Sequence, residues 1–208
     1  MNINYSIEGI FATPIYRAKI DNIPLNFQQM TQKFINEGME KNYANYVSKD
    51  KYVLNQPDAK EVKDFCQHHL ENFYRTVFGD TSTKTEKEIT QSWYNMNRKG
   101  EFHHEHTHQN SIVSGVFYVN ASPKDTIKFI DYTHYAINVC DKDPLKTPFN
   151  SVETSFNVSS GDLILFPSST YHSVPLITEE NNIRISVAFN SWIRGTIGEE
   201  DKITLVKV

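Results

Sequence analysis

Residues 152–174 read VETSFNVSSGDLILFPSSTYHSV, and the opening of this stretch decides the class of fold. Val152, Thr154, Phe156 and Val158 alternate with Glu153, Ser155 and Asn157. A period of two predicts a half-buried antiparallel strand, whereas a strand of a parallel α/β sheet, covered on both faces, reads as a continuous apolar run. Gly161 then supplies a turn, residues 163–166 a second strand and residues 171–174 a third. The same period extends outward in both directions. Residues 89–96, 111–119, 126–130 and 183–192 each read as a strand, with Asn120, Pro123, Asn181 and Asn182 at the turns between them. Short strands in such a series predict a sandwich or jelly roll. The polar stretch 120–150 reads as an edge strand followed by a long loop, a lid carrying Tyr132, His134, Tyr135 and Phe149.

Upstream of residue 87 the spacing changes. After a short apolar strand at residues 10–16, Phe27, Met30, Phe34 and Ile35 recur at helical intervals within residues 26–41. A second helix is expected from Asp58, whose carboxylate can cap the chain while Glu61 reaches back to it. It runs to Gly79 with Val62, Phe65, Cys66, Leu70, Phe73 and Val77 on one face. Two amphipathic helices need an apolar surface to lie on, so they are expected to cover one sheet from outside. The expectation is a single domain over residues 1–208. Residues 1–86 form an N-terminal strand and helical layer, 87–194 the β core, and 195–208 a C-terminal extension. Within that extension, ITLVKV is an extra edge strand that closes the sheet or meets a second copy, making a homodimer.

The 208 residues carry 25 acidic and 21 basic side chains, a net charge of −4, with 38% hydrophobic and 12% aromatic residues. That is enough apolar material for a packed core, and the charge balance argues against general nucleic-acid binding. Cys66 and Cys140 form no CxxC pair, which argues against a thiolate metal site or a disulfide framework. The first residues lack a basic segment followed by a long apolar run. No stretch of about 18 apolar residues occurs anywhere, so the expectation is a cytoplasmic protein with no membrane association.

Eight histidines are present, four of them between His103 and His108. On an extended strand His104, His106 and His108 share one face, and neighbours at i and i+2 stand about 6.5–7 Å apart at Cα, close enough for two imidazoles to meet one ion. The pair is therefore His104/His106 or His106/His108. His172, delivered to a sheet rim by the apolar strand before it, is the best third ligand. Imidazoles without a thiolate suit iron, manganese, nickel or zinc. Independently, the last strand places Arg184, Ser186, Ala188 and Asn190 on one face and Ile185, Val187 and Phe189 on the other. An arginine on an inner face is costly without an anion, and its rigid fork suits a carboxylate.

Three segments, GEFHHEHTHQNSIVSGVFYV (100–119), GDLILFPSSTYHSV (161–174) and RISVAFNSW (184–192), resemble in order the core of the small iron(II)/2-oxoglutarate dioxygenases of bacteria and phages, relatives of the prolyl hydroxylases. IFATPIY (10–16) is similar to that family's start. The resemblance implies a double-stranded β-helix, a jelly roll of cupin-like architecture, with Fe(II) and 2-oxoglutarate at its centre. It selects His106 and His108 over His104 and His106, with His172 as the distal ligand. It further implies that Arg184 and Ser186 bind the distal carboxylate of 2-oxoglutarate, with Tyr118 hydrogen-bonded to the same group. The implied activity is hydroxylation of a small molecule or a protein side chain, with 2-oxoglutarate converted to succinate and CO2.

One departure matters. His108 stands where such oxygenases carry a carboxylate, and three neutral imidazoles leave the full charge of a divalent ion uncompensated. The two charges of 2-oxoglutarate can balance it. His104 and Asp131 are reserve ligands, while Glu105 points away from His106 on an extended strand. Two other readings stand beside this one. A cupin-like three-histidine metalloenzyme fits the glycine and histidine spacing but lacks the expected glutamate, Ile112 and Val113 standing there, and has Ser169 in place of a glycine. The other is a jelly-roll binding or virion module with no catalysis.

Overall fold

The computed structural model describes residues 9–132, 147 and 149–208. The chain begins with β1 (Tyr16–Lys19), α1 (Leu25–Glu37) and the hairpin β2 (Met39–Lys41) and β3 (Tyr46–Ser48). After two 3-10 turns comes α2 (Lys60–Val77). The strands β4 (Thr85–Arg98), β5 (His103–His106), β6 (Val113–Asn120), β7 (Thr126–Ile130), β8 (Glu153–Asn157), β9 (Asp162–Pro167), β10 (Tyr171–Val174), β11 (Ile183–Ile197) and β12 (Val206–Lys207) follow.

They form two sheets. The larger is 8-stranded in the order β1-β9-β6-β11-β4-β3-β2, with β12 added to β11; the smaller is 4-stranded in the order β5-β10-β7-β8. Every ladder between these strands is antiparallel. Alternation gives the large sheet two buried faces. Ile185, Val187 and Phe189 of β11 join Phe117, Leu163, Leu165, Tyr94 and Met96 in the core under the helices, where Phe27 and Met30 of α1 and Val62, Cys66, Leu70 and Phe73 of α2 cover them. Their strand neighbours Val116, Tyr118, Ile164 and Phe166 face the small sheet, meeting Ile127, Phe129 and Val158. This is the double-stranded β-helix with helices on one sheet. Gly115 makes the close packing possible, since a Cβ there falls 2.1 Å from the Phe189 ring. Gly161 adopts φ +87° at the turn into β9, with Ile20 O where a side chain would lie.

Several local expectations are corrected. Residues 10–15 are not a strand; Ile10 is 73% and Phe11 96% exposed, and pairing starts at Tyr16. α1 ends at Glu37 rather than 41, because Gly38 closes it with an N–H to Phe34 O bond of 2.7 Å and residues 39–41 enter the β2–β3 hairpin. Asp58 does not cap α2. Pro57 starts a 3-10 turn that carries Asp58 ahead of the helix, which begins at Lys60 with no side-chain cap. β7 is internal rather than an edge strand, flanked by β10 and β8, so the edge falls to β8; of the alternating residues in and beside it, Val152 and Thr154 are exposed and only Phe156 and Val158 sheltered. Of the expected lid, His134 and Tyr135 lie outside the described residues, as does Cys140, while Tyr132 and Phe149 are exposed. The C-terminal strand is two residues long and pairs with Thr196 and Ile197. Among the described residues no helix is long and apolar enough to cross a membrane.

Candidate metal centre

The two sheets enclose a cavity lined by His103, His106, His108 and His172 at one end and Tyr118, Arg184 and Ser186 at the other, with Trp93 and Asn95 on its wall. β10 brings His172 directly opposite His106 of β5. His108 follows β5 in irregular chain, anchored by its backbone N–H to Ser168 O at 2.9 Å and by ring stacking on Trp93. One nitrogen from each of His106, His108 and His172 lies within 4.8 Å of the others.

Hydrogen bonds fix which nitrogen each ring presents. His106 Nδ1 lies 2.8 Å from His104 O, His172 Nδ1 3.0 Å from Thr170 O and His108 Nδ1 2.6 Å from Asn190 Oδ1. All three partners are oxygen acceptors, so each Nδ1 carries the proton and donates, and each Nε2 keeps its lone pair. Burial depresses all three imidazole pKa values, with that of His108 falling to about 4, which keeps the rings neutral at neutral pH. His108 Nε2 and His172 Nε2 are 3.3 Å apart. Two lone pairs at that distance repel unless a cation sits between them. Metal–nitrogen bonds of about 2.1 Å, opened by 90–110°, separate donors by about 3.0–3.4 Å. The donor set therefore fits a divalent ion with imidazole ligands.

The acceptor that holds His108 is itself held. Ser114 Oγ donates to Asn190 Oδ1 at 3.3 Å and lies 2.7 Å from Ser168 Oγ, which in turn donates to Ser111 Oγ at 2.7 Å. Such outer partners orient a ligand and raise its basicity. The sequence reading assigns no role to this hydroxyl chain, though its members sit in strands or turns next to the ligands.

His104 and His106 do not share a face in one row. The register steps from His172↔His106 to Val174↔His103, so His104 and Glu105 of β5 oppose Ser173 alone of β10. This bulge inverts the alternation. His103 turns into the cavity, stacked 4.4 Å from His106, while His104 is exposed against Tyr43. His103, His104 and His106 also bring nitrogens within 4.8 Å of one another, but His104 is not grouped with His172. Asp131, exposed at the end of β7, joins neither histidine group, and Glu105 is exposed and accepts a hydrogen bond from Tyr132.

At the other end Arg184 is 1% exposed. Its Nη2 donates to Tyr118 Oη at 3.1 Å and its guanidinium lies 5.0 Å from the Tyr118 ring centre, while Nε has no partner. Among the described residues no carboxylate pairs with it. Ser186 is 2% exposed and sits in register with both Tyr118 and Asn95. Burial raises the Tyr118 phenol pKa and Arg184 opposes the rise, so the hydroxyl stays protonated at neutral pH. A buried cation and a hydroxyl facing a metal-sized nitrogen cluster suit a ligand that is anionic at its far end and metal-binding at the other.

The fold is the double-stranded β-helix of solved 2-oxoglutarate oxygenases. Residues 91–190 match the family described as "Putative 2OG-Fe(II) oxygenase", in agreement with the resemblance read from the sequence over that segment. Similar solved structures include a Pseudomonas putida prolyl-4-hydroxylase, with 14% identity and TM-score 0.56 over 86% of this chain and 92% of that one. HygX from Streptomyces hygroscopicus, solved with nickel, 2-oxoglutarate and hygromycin B, has 10% identity and TM-score 0.57 over 86% and 82%. A 2OG-Fe(II) oxygenase family oxidoreductase from Burkholderia pseudomallei has 15% identity and TM-score 0.53 over 79% and 76%. At these identities the likeness is one of fold. No curated protein matches the chain.

Proposed function

We propose that the protein is an Fe(II)- and 2-oxoglutarate-dependent oxygenase that hydroxylates a small molecule or a protein side chain, with His106, His108 and His172 as metal ligands and Arg184, Ser186 and Tyr118 as the cosubstrate anchor. The observation that carries this reading is Arg184, buried to 1% exposure without a carboxylate partner among the described residues and opening onto the same cavity as the imidazole triad. When bound, Fe(II), 2-oxoglutarate and O2 together supply an oxidant that inserts one oxygen atom into a C–H bond, the other leaving in succinate as CO2 is released. The chain's own residues position and balance. The three Nδ1–H bonds keep the Nε2 lone pairs aimed at one point. Arg184 and the Tyr118 hydroxyl neutralise and orient the distal carboxylate, and Phe129, Phe166 and Val116 wall the centre with apolar surface that limits water.

The three-imidazole donor set also favours a cupin-like metalloenzyme that dispenses with 2-oxoglutarate. The two readings separate in an anaerobic titration of the Fe(II) protein. A visible charge-transfer band on adding 2-oxoglutarate, together with Fe(II)-dependent succinate formation that is lost in Arg184→Met, supports the oxygenase; absence of both overturns it.

A further inference from the structure

We propose that Asn97 is a further donor to the carboxylate held by Arg184 and Tyr118, an inference that rests on the oxygenase reading and adds a residue to its cosubstrate site. Asn97 is 1% exposed, yet neither Nδ2 nor Oδ1 has a hydrogen-bond partner. Arg184 Nε is likewise unpartnered and buried. Natural proteins rarely leave buried polar atoms unpaired, and those that persist call for an explanation.

These orphans are not scattered. β4 and β11 pair Asn97 directly with Arg184, in a run of ladder that is regular from Ile183 to Phe189. Directly paired residues project from the same face with Cβ atoms about 4.5–5.5 Å apart, so both side-chain heads can reach one planar anion. The next pair on that face, Asn95 with Ser186, behaves differently. Asn95 Oδ1 already accepts from Asn45 Nδ2 at 3.5 Å, so its amide is engaged by the β2–β3 turn. The neighbour of Asn97 on the opposite face, Met96, packs in the helix-side core. Within this strand the unused amide is thus the one paired with the unbalanced cation.

A carboxylate accounts for the two orphaned donors together, accepting from Asn97 Nδ2 and from Arg184 Nε. An apolar ligand leaves both donors unpaired, and a cation is repelled by Arg184. Asn97 therefore binds the distal carboxylate of 2-oxoglutarate beside Arg184.

Calorimetric titration of 2-oxoglutarate into the Mn(II)-loaded protein tests this without turnover. Asn97→Leu keeps the shape and removes both polar atoms; it is expected to weaken 2-oxoglutarate binding about tenfold to a hundredfold, with Mn(II) affinity unchanged and a melting temperature in the absence of 2-oxoglutarate equal to or above wild type. A merely structural asparagine predicts unchanged 2-oxoglutarate affinity, and that result overturns the proposal. Asn97→Asp is the second variant. Its carboxylate pairs with Arg184 in place of the ligand, so the protein folds and binding is lost; retained binding overturns the proposal even if the leucine variant is insoluble. Wild type that binds Mn(II) but no 2-oxoglutarate sinks the oxygenase reading and this inference with it, whereas loss of binding in Arg184→Met but not in the Asn97 variants sinks this inference alone.

Discussion

His108 and His172 approach each other through Nε2 atoms 3.3 Å apart, with both Nδ1 atoms committed to oxygen acceptors. A proton between them would turn one ring into an imidazolium, which burial disfavours at both histidines. An ion relieves the repulsion, so purified untagged protein is expected to hold about one divalent metal per chain, lost in His172→Ala. Binding confined to the folded state at a hundredfold excess over Kd adds about 2.7 kcal/mol, and stripping the metal should lower Tm by about 5–10 °C. Equal melting temperatures before and after chelation contradict the site.

Asn190 lies outside the triad yet holds one of its members. Asn190→Leu removes the acceptor for His108 Nδ1 and frees the ring to rotate. Metal affinity is expected to fall about tenfold to a hundredfold, and circular dichroism should stay that of the wild type. Unchanged affinity by competition with a chromogenic chelator refutes the orienting role.

Arg184→Met exchanges a buried, incompletely paired charge for an apolar chain of similar length. Unfolding free energy should be unchanged or higher by up to about 3 kcal/mol, while 2-oxoglutarate affinity drops at least about thirtyfold. Arg184→Lys keeps the charge but not the planar fork, and does not restore affinity. A variant that both binds 2-oxoglutarate normally and melts lower assigns Arg184 to the scaffold instead.

The metal-free protein should lose stability as it is acidified. Burial holds the His108 pKa near 4, below the ordinary value of about 6.5 that the unfolded chain shows. Between those values the unfolded state binds a proton that the folded state refuses, so stability is full above pH 6.5 and declines as pH falls toward 4. Urea midpoints across that range check the sign. A flat profile, or one that His108→Asn leaves equally steep, rules the linkage out.

How much of this is legible in the sequence depends on whether alternation survives. β11 keeps its period from Ile183 to Phe189, so the inward face of Arg184, Ser186 and Ala188 follows from counting. β5 breaks it. Its bulge turns His103 inward and His104 outward, and no residue type between His103 and His106 announces an extra residue in the strand. Asp58 has the composition of a helix cap, but a proline one residue earlier commits the chain to a tighter turn. Asn97 is silent for a different reason. An asparagine in a polar strand reads as exposed until the partner strand shows that it faces Arg184.

β5 ends the small sheet and holds to β10 through a ladder that the bulge interrupts. An ion shared by His106, His108 and His172 would consequently be a cross-link, closing a loop of 64 residues between His108 and His172 that contains β6, β7, β8 and β9. Closing so long a loop removes chain entropy from the unfolded ensemble much as a disulfide does. In a protein whose described cysteine is a buried free thiol, coordination would take over the work of covalent stapling, and amide exchange in β5 would be a direct gauge of metal occupancy.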